Sequence, residues 1–163
     1  MAEPWVINAS PIIVLAKIGL IEKVPALAGP LVVPVPVAEE INRGAADDAA
    51  VRWLEGAGRG FIRPAEPVPS QLAGSGIGRG EKSVIAWALL HPGFVAVLDD
   101  SAARSQARSL SVPVLGTVGL VIRMKQAGLI DKVKPRLLQI RQAGGYIGET
   151  LLREAIRCAG EDT

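Results

Sequence analysis

The residues able to do chemistry are few and mostly acidic. Val95-Ala-Val-Leu98 is an apolar, strand-like run that ends in Asp99 and Asp100 and passes at once into a helical pattern through Arg104. In an open α/β sheet, ligands sit outside the carboxyl ends of the parallel strands, so carboxylates placed there face solvent and one another. Capping accounts for the same pair more simply: Asp100 or Ser101 starts the following helix and Asp99 complements its dipole. Asn8 follows the short apolar run Trp5-Val-Ile7, Glu39 and Glu40 lie in Val37-Ala-Glu-Glu-Ile41, and Glu81 opens a helical run through Val84, Ile85, Ala88 and Leu89. Carboxylates gathered without counter-charge repel, and a hard cation is a natural reason to gather them. Mg²⁺ and Mn²⁺ take oxygen ligands, and Mg²⁺ keeps waters that can be activated against a phosphodiester. Phosphodiester hydrolysis is therefore the leading chemistry.

Other chemistries lack their residues. His91 is the only histidine and precedes Pro92 in a helix-to-strand turn, so no histidine triad or zinc cluster can be assembled; a surface or capping place is expected for it. Cys158 is the only cysteine, which rules out an intrachain disulfide and suits a buried or spare thiol in a reducing cytoplasm. The glycines from Gly74 to Gly80 invite a phosphate-cradle reading, but Gly80 is followed by Glu81 where a P-loop needs Lys, and the alternation is not that of a dinucleotide fingerprint. The apolar stretch from Trp5 to Ile21 contains Asn8, Ser10, Pro11 and Lys17 and reads as neither a signal peptide nor a membrane span. A soluble, cytoplasmic protein is expected.

The elements that must position these residues alternate. Strands are expected at 5–8, 30–34, 61–62, 95–98 and 112–115, with helices opened by Ser10-Pro11, by Leu20, near Val37, from Asp47 to Gly56, after Glu81, over 102–110 and after a capping Thr117. Residues 63–80, rich in Pro and Gly, read as a long loop. Trp53 and Trp87 read as core. Two further helices, 131–143 and 149–159, flank Gly144-Gly145. Such alternation predicts an α/β fold with a parallel sheet covered on both faces. The 163 residues make one domain, of which 131–163 is a helical C-terminal extension packed on the rest.

The net charge of +2 is unevenly spread. Residues 1–100 carry 8 Lys/Arg against 11 Asp/Glu, and residues 101–163 carry 10 against 5. The basic half offers a grip on a polyanion, although Arg123, Lys125, Lys132, Lys134, Arg136 and Arg141 also suit solvated helix faces.

Four stretches, Val6 to Lys17, Val37 to Ile41, Gly80-Glu-Lys-Ser-Val-Ile-Ala86 and Leu98-Asp-Asp-Ser-Ala-Ala-Arg104, resemble in order and spacing the four signatures of the PIN domain. Gly116-Thr-Val-Gly-Leu120, Gly128-Leu-Ile130 and Lys134-Pro-Arg-Leu137 are similar to the tail of one prokaryotic branch of that family. The resemblance implies a three-layer α/β/α sandwich around a mainly parallel sheet, an acidic cluster binding Mg²⁺ or Mn²⁺, and ribonuclease activity, often as the VapC-type toxin of a toxin–antitoxin pair. It implies Glu40, Glu81, Asp99 and Asp100 as catalytic metal ligands, with Asn8 where the family usually has its first aspartate. Ser10, Arg104, Arg123 and Lys125 are the expected RNA contacts. RNA, an antitoxin protein and a second copy of the chain are the expected partners. Asn8 is the main departure, because an amide oxygen can ligate a cation but brings no charge. A weakened ribonuclease is one expectation; a catalytically impaired module that binds RNA or protein is the other. A receiver-type signalling domain also has an acidic pocket, but its aspartate pair follows the first strand, where this chain has Asn8-Ala9.

Overall fold

The shortest route into the fold is its middle strand. In the computed structural model, which describes residues 2–161, β1 (Trp5–Ile7) is completely buried and hydrogen-bonded on both edges. The remaining strands are β2 (Leu31–Pro34), β3 (Ile62–Arg63), β4 (Val95–Val97) and β5 (Val114–Leu115), all parallel, in the order β3-β2-β1-β4-β5. Strands covered on both faces must be apolar throughout rather than alternating, which is why β1, β2 and β4 read Trp-Val-Ile, Leu-Val-Val-Pro and Val-Ala-Val. The edge strands are two residues each and partly exposed, too short to template pairing with another chain.

Parallel neighbours need crossover connections, and helices supply them. The chain passes from β1 to β2 through α1 (Ala9–Lys17) and α2 (Val24–Leu27), and on to β3 through α3 (Val35–Ile41) and α4 (Ala49–Glu55). It returns through α5 (Ser70–Ala73) and α6 (Arg79–Leu90) to β4, then runs through α7 (Ser101–Ser109) to β5 and on into α8 (Thr117–Gln126), α9 (Lys134–Gln142) and α10 (Glu149–Cys158). The result is a three-layer α/β/α sandwich. α6 lies against β1, β2 and β4 and packs on α3, while α8 meets α2, α9 and α10. Val133, Leu137, Ile140, Leu152 and Ile156 from the last helices join the same buried cluster as the sheet. Residues 1, 162 and 163, the ends of the expected single domain, lie outside the described residues.

The strand order has a consequence for function. Winding goes outward from β1 to β2 and β3, then reverses to lay β4 on the other side of β1. The carboxyl ends of β1 and β4 are therefore adjacent at the topological switch point, where open α/β sheets hold ligands. The amide N–H of Asn8 donates to the Val97 carbonyl at 3.1 Å and ties the two ends together.

Several elements differ from expectation for identifiable reasons. α1 starts at Ala9, with Asn8 as its N-cap and Ser10 already inside the first turn. α3 starts at Val35, because Pro36 is preset for a first turn, so Glu40 lies in the last turn rather than near the start. The expected loop at 63–80 holds α5, whose Leu72 is fully buried, and α6 begins early enough to include Gly80. Gly116, not Thr117, is the N-cap of α8. Of the two places expected for Cys158, the buried one is not taken: the thiol is free and exposed. His91, by contrast, takes the expected capping place as the C-cap of α6, and its ring stacks on Trp87 with centroids 4.1 Å apart.

The C-terminal segment is fastened electrostatically. Glu161 accepts hydrogen bonds from Lys125 Nζ at 2.8 Å, from the Val133 amide at 2.7 Å and from the Lys134 amide at 3.1 Å. Burial by itself would raise the pKa of this carboxyl; those three hydrogen bonds and the Lys125 charge outweigh it and hold the group at about 2. A folded-state pKa below the unfolded value stabilises the fold above pH ~4.5, and the stabilisation disappears as the pH falls towards 2. Glu161→Gln should lower unfolding stability near neutral pH by roughly 1–3 kcal/mol. Urea titrations between pH 7 and pH 2.5 should show the difference from wild type shrinking steadily below pH ~4.5.

Candidate active site at the carboxyl edge

Asn8 is where the main chain and the chemistry meet. It is 5% exposed, because β1 is central and α1 begins directly after it. Its side chain does not cap α1, and its Oδ1 is buried without a hydrogen-bond partner among the described residues. A buried amide oxygen left unpaired costs about 1–3 kcal/mol, so such an atom is met by an ordered water or a bound cation. What it faces is revealed by Gly80, in the first turn of α6: a Cβ there would lie 3.0 Å from Glu40 Oε1 and 3.4 Å from Asn8 Oδ1. Glycine leaves a gap between an amide oxygen and a carboxylate oxygen. The packing of α3 on α6 brings Glu40 to that gap, and an exposed ion pair between Glu39 and Arg79, 3.2 Å, spans the same two helices.

Glu81 is otherwise engaged. Its Oε1 accepts from the Gly78 amide at 2.9 Å, the carboxylate half of a capping box, with no side chain on Gly78 to return the bond. Asp100 is the N-cap of α7 and accepts from the Ala103 amide at 2.9 Å, as the capping alternative expected. Asp99 makes a tertiary contact instead: Oδ1 accepts from the Thr117 amide at 2.8 Å and Oδ2 from the Thr117 hydroxyl at 2.5 Å. Among the described residues no three Asp, Glu, His or Cys side chains converge as a metal cage.

Beside Asp99 stands Arg104, whose Nη1 donates to the Leu98 carbonyl at 2.9 Å. Burial and the like charge of Arg108 pull its pKa below the usual arginine value, and Asp99 partly offsets this; an arginine remains protonated regardless. Gly116 makes room for the pair, since a Cβ there would sit 2.8 Å from Arg104 Nη1 and 3.2 Å from Asp99 Oδ1. A cavity of about 780 Å³ opens at this point, lined by Ser10, Asp99, Asp100, Arg104 and Thr117 at its polar end.

The site therefore has two parts, Asn8–Glu40 across Gly80 and Asp99–Thr117–Arg104 around Gly116. The structure does not bring the other two expected RNA contacts here. Arg123 pairs with Glu3 and lies 5.9 Å over the Trp5 ring, at the opposite end of β1. Lys125 is held by Glu161 and by the Ala159 carbonyl. Conversely, Lys17 lines the cavity without having stood out in the sequence; its one signal is a cation at the end of a helix that starts beside Asn8.

A parallel α/β/α sandwich with amide, carboxylate and guanidinium groups collected at its switch point defines the class of protein. Within that class the chain belongs to the PIN domain family: a family model described as DUF3368, PIN domain, matches residues 4–161. No curated protein and no solved structure gives a match.

The gap at Gly80 can be tested without reference to activity. Gly80→Ala should leave stability unchanged or slightly raised, because Ala is the better helix former by about 1 kcal/mol. Its methyl would nonetheless crowd both Asn8 Oδ1 and Glu40 Oε1, so any affinity of this gap for Mn²⁺, measured by calorimetry, should fall at least several-fold.

Proposed function

We propose that the chain is a metal-dependent ribonuclease of PIN type that hydrolyses RNA phosphodiester bonds at the carboxyl edge of β1 and β4. The observation that carries this is the orphaned Oδ1 of Asn8, buried and aimed with Glu40 Oε1 at the space beside Gly80. Two hard oxygen donors in a polar gap fit one Mg²⁺ or Mn²⁺ whose other positions are filled by water; a single formal charge does not favour a second ion. Such a cation, when bound, polarises a phosphoryl oxygen and acidifies an attacking water.

The chain's own residues do the rest. Glu40 and Asn8 hold the ion, with the charge coming from Glu40 alone. Arg104 presents its remaining N–H groups to a phosphate, and Ser10 offers a hydroxyl at the same mouth. Asp99, fixed by Thr117, places a negative charge near the Arg104 guanidinium, which the Leu98 carbonyl holds. Asp100 and Glu81 stand at the first turns of α7 and α6, where release of their capping bonds would let them turn towards bound substrate. A role as a toxin restrained by an antitoxin protein, and a homodimer, belong to the same proposal.

A second reading has an observation of its own. Glu81, Asp99 and Asp100 all spend hydrogen bonds inside the chain, which suits a catalytically impaired module that binds RNA or protein. Cleavage decides between the two. Single-stranded RNA should be cut with Mn²⁺, more weakly with Mg²⁺, and not with EDTA; intact RNA under every metal condition would favour the impaired module. Asn8→Asp restores a charge at the gap and should tighten Mn²⁺ binding roughly tenfold, equivalent to about 1.4 kcal/mol. Unchanged affinity by calorimetry would remove Asn8 from the ligand set.

A further inference from the structure

The cavity beside Asp99 is larger than a phosphate needs, and most of its wall is not polar. Ile13 and Val14 of α1 form one side, Val118 and Ile122 of α8 another, and the turn from Gly144 to Ile147 closes the third. Two cations stand on it, Lys17 and Arg104, and neither is in an ion pair among the described residues. Asp99 and Asp100 line the same mouth, but their oxygens already accept hydrogen bonds from Thr117 and Ala103, so the groups with N–H left to donate beside the apolar wall are the two cations, which suits a ligand apolar at one end and anionic at the other.

The turn supplies a third element of recognition. Tyr146, the only tyrosine in the chain, is 94% exposed, far more than an aromatic ring with a packing role. Its backbone, by contrast, is well held. Gly144 takes a positive φ of 98°, and a Cβ at Gly145 would meet Ile140 Cγ2 at 2.6 Å, so the turn fits tightly over α9. Ile147 is buried, and Arg141 donates to its carbonyl at 2.9 Å while pairing with Glu149 at 3.0 Å. A ring in water on an anchored turn is a preorganised stacking surface, and stacking on such rings is how proteins hold unpaired bases whatever their sequence.

We propose that this cavity is a subsite for one unpaired, splayed-out RNA nucleotide, with its base against Tyr146 and the Ile13–Ile122 wall and its phosphate at Arg104 and Lys17. This deepens the ribonuclease reading and rests on it, because the same strand would continue to the gap at Gly80. A base stacked inside a duplex cannot enter, so the subsite selects single-stranded RNA.

The test uses the whole chain, EDTA to suppress cleavage, and fluorescence anisotropy with a labelled single-stranded oligoribonucleotide and its duplex. Wild type should prefer the single strand. Tyr146→Ala, at a position too exposed to affect folding, should weaken that binding roughly 5- to 150-fold, the range for loss of one base–aromatic stack, while Tyr146→Trp retains it. Lys17→Gln should weaken binding and flatten its salt dependence by about one phosphate contact. If wild type binds the single strand and Tyr146→Ala binds equally well, the subsite is refuted and the ribonuclease reading survives. If wild type binds no RNA, the reading beneath it fails too. If Tyr146→Ala instead abolishes self-association in sedimentation and leaves RNA affinity alone, the cavity is a protein contact and the proposal is overturned.

Discussion

β1 is only three residues long, yet it pairs with β2 on one side and β4 on the other and is buried on both faces. Every backbone group of such a strand must find its partner within the sheet, so its register is tightly constrained. The chain winds outward from it on one side and returns to the other, which makes the β1–β4 boundary the switch point. Asn8 is delivered there by its position one residue beyond the strand. It is sealed in by α1, which has to begin at once, and its side chain is left without a cap to make or a solvent to face.

Around that point the acidic groups are kept apart. The other candidate carboxylates are hydrogen-bonded locally: Glu81 and Asp100 by the amides of their own helices, Asp99 by Thr117. Hydrogen bonds from N–H groups stabilise an isolated carboxylate where another carboxylate would repel it. Two glycines mark where a side chain would crowd nearby polar groups, Gly80 beside Glu40 and Asn8 and Gly116 beside Arg104 and Asp99. The balance of charge at the edge differs accordingly from a bare acidic cluster, with one carboxylate facing the buried amide and one arginine beside a fixed aspartate.

Much of the fold could be read from residue order. Continuous apolar triplets separated by helix-length segments identify buried parallel strands, and Pro, Gly and Asp at their boundaries locate the connections. Boundaries were less readable where a proline is compatible with two registers, as at Pro36, or where a short apolar residue in a polar stretch is enough to nucleate a turn, as at Leu72. The carboxylates were recognisable as candidates through their place after strands or in helical first turns, and the capping alternative for Asp100 was equally visible.

The amino-acid sequence by itself determined which residues had the chemistry to serve an edge site, that the sheet is parallel, and that an amide stands where an acid was expected. Local periodicity and local capping decide the first two and act over a few residues; the third follows from the resemblance of the first signature to that of the PIN domain. Only the tertiary structure decided which candidates come together. Thr117 reaches Asp99 across 18 positions, Glu40 and Asn8 both come close to Gly80, and Arg123 and Lys125 are taken up by Glu3 and Glu161 far along the chain. Hydrogen bonds and ion pairs between distant segments depend on how helices cross and how deeply they bury their ends, quantities that no spacing in the sequence encodes.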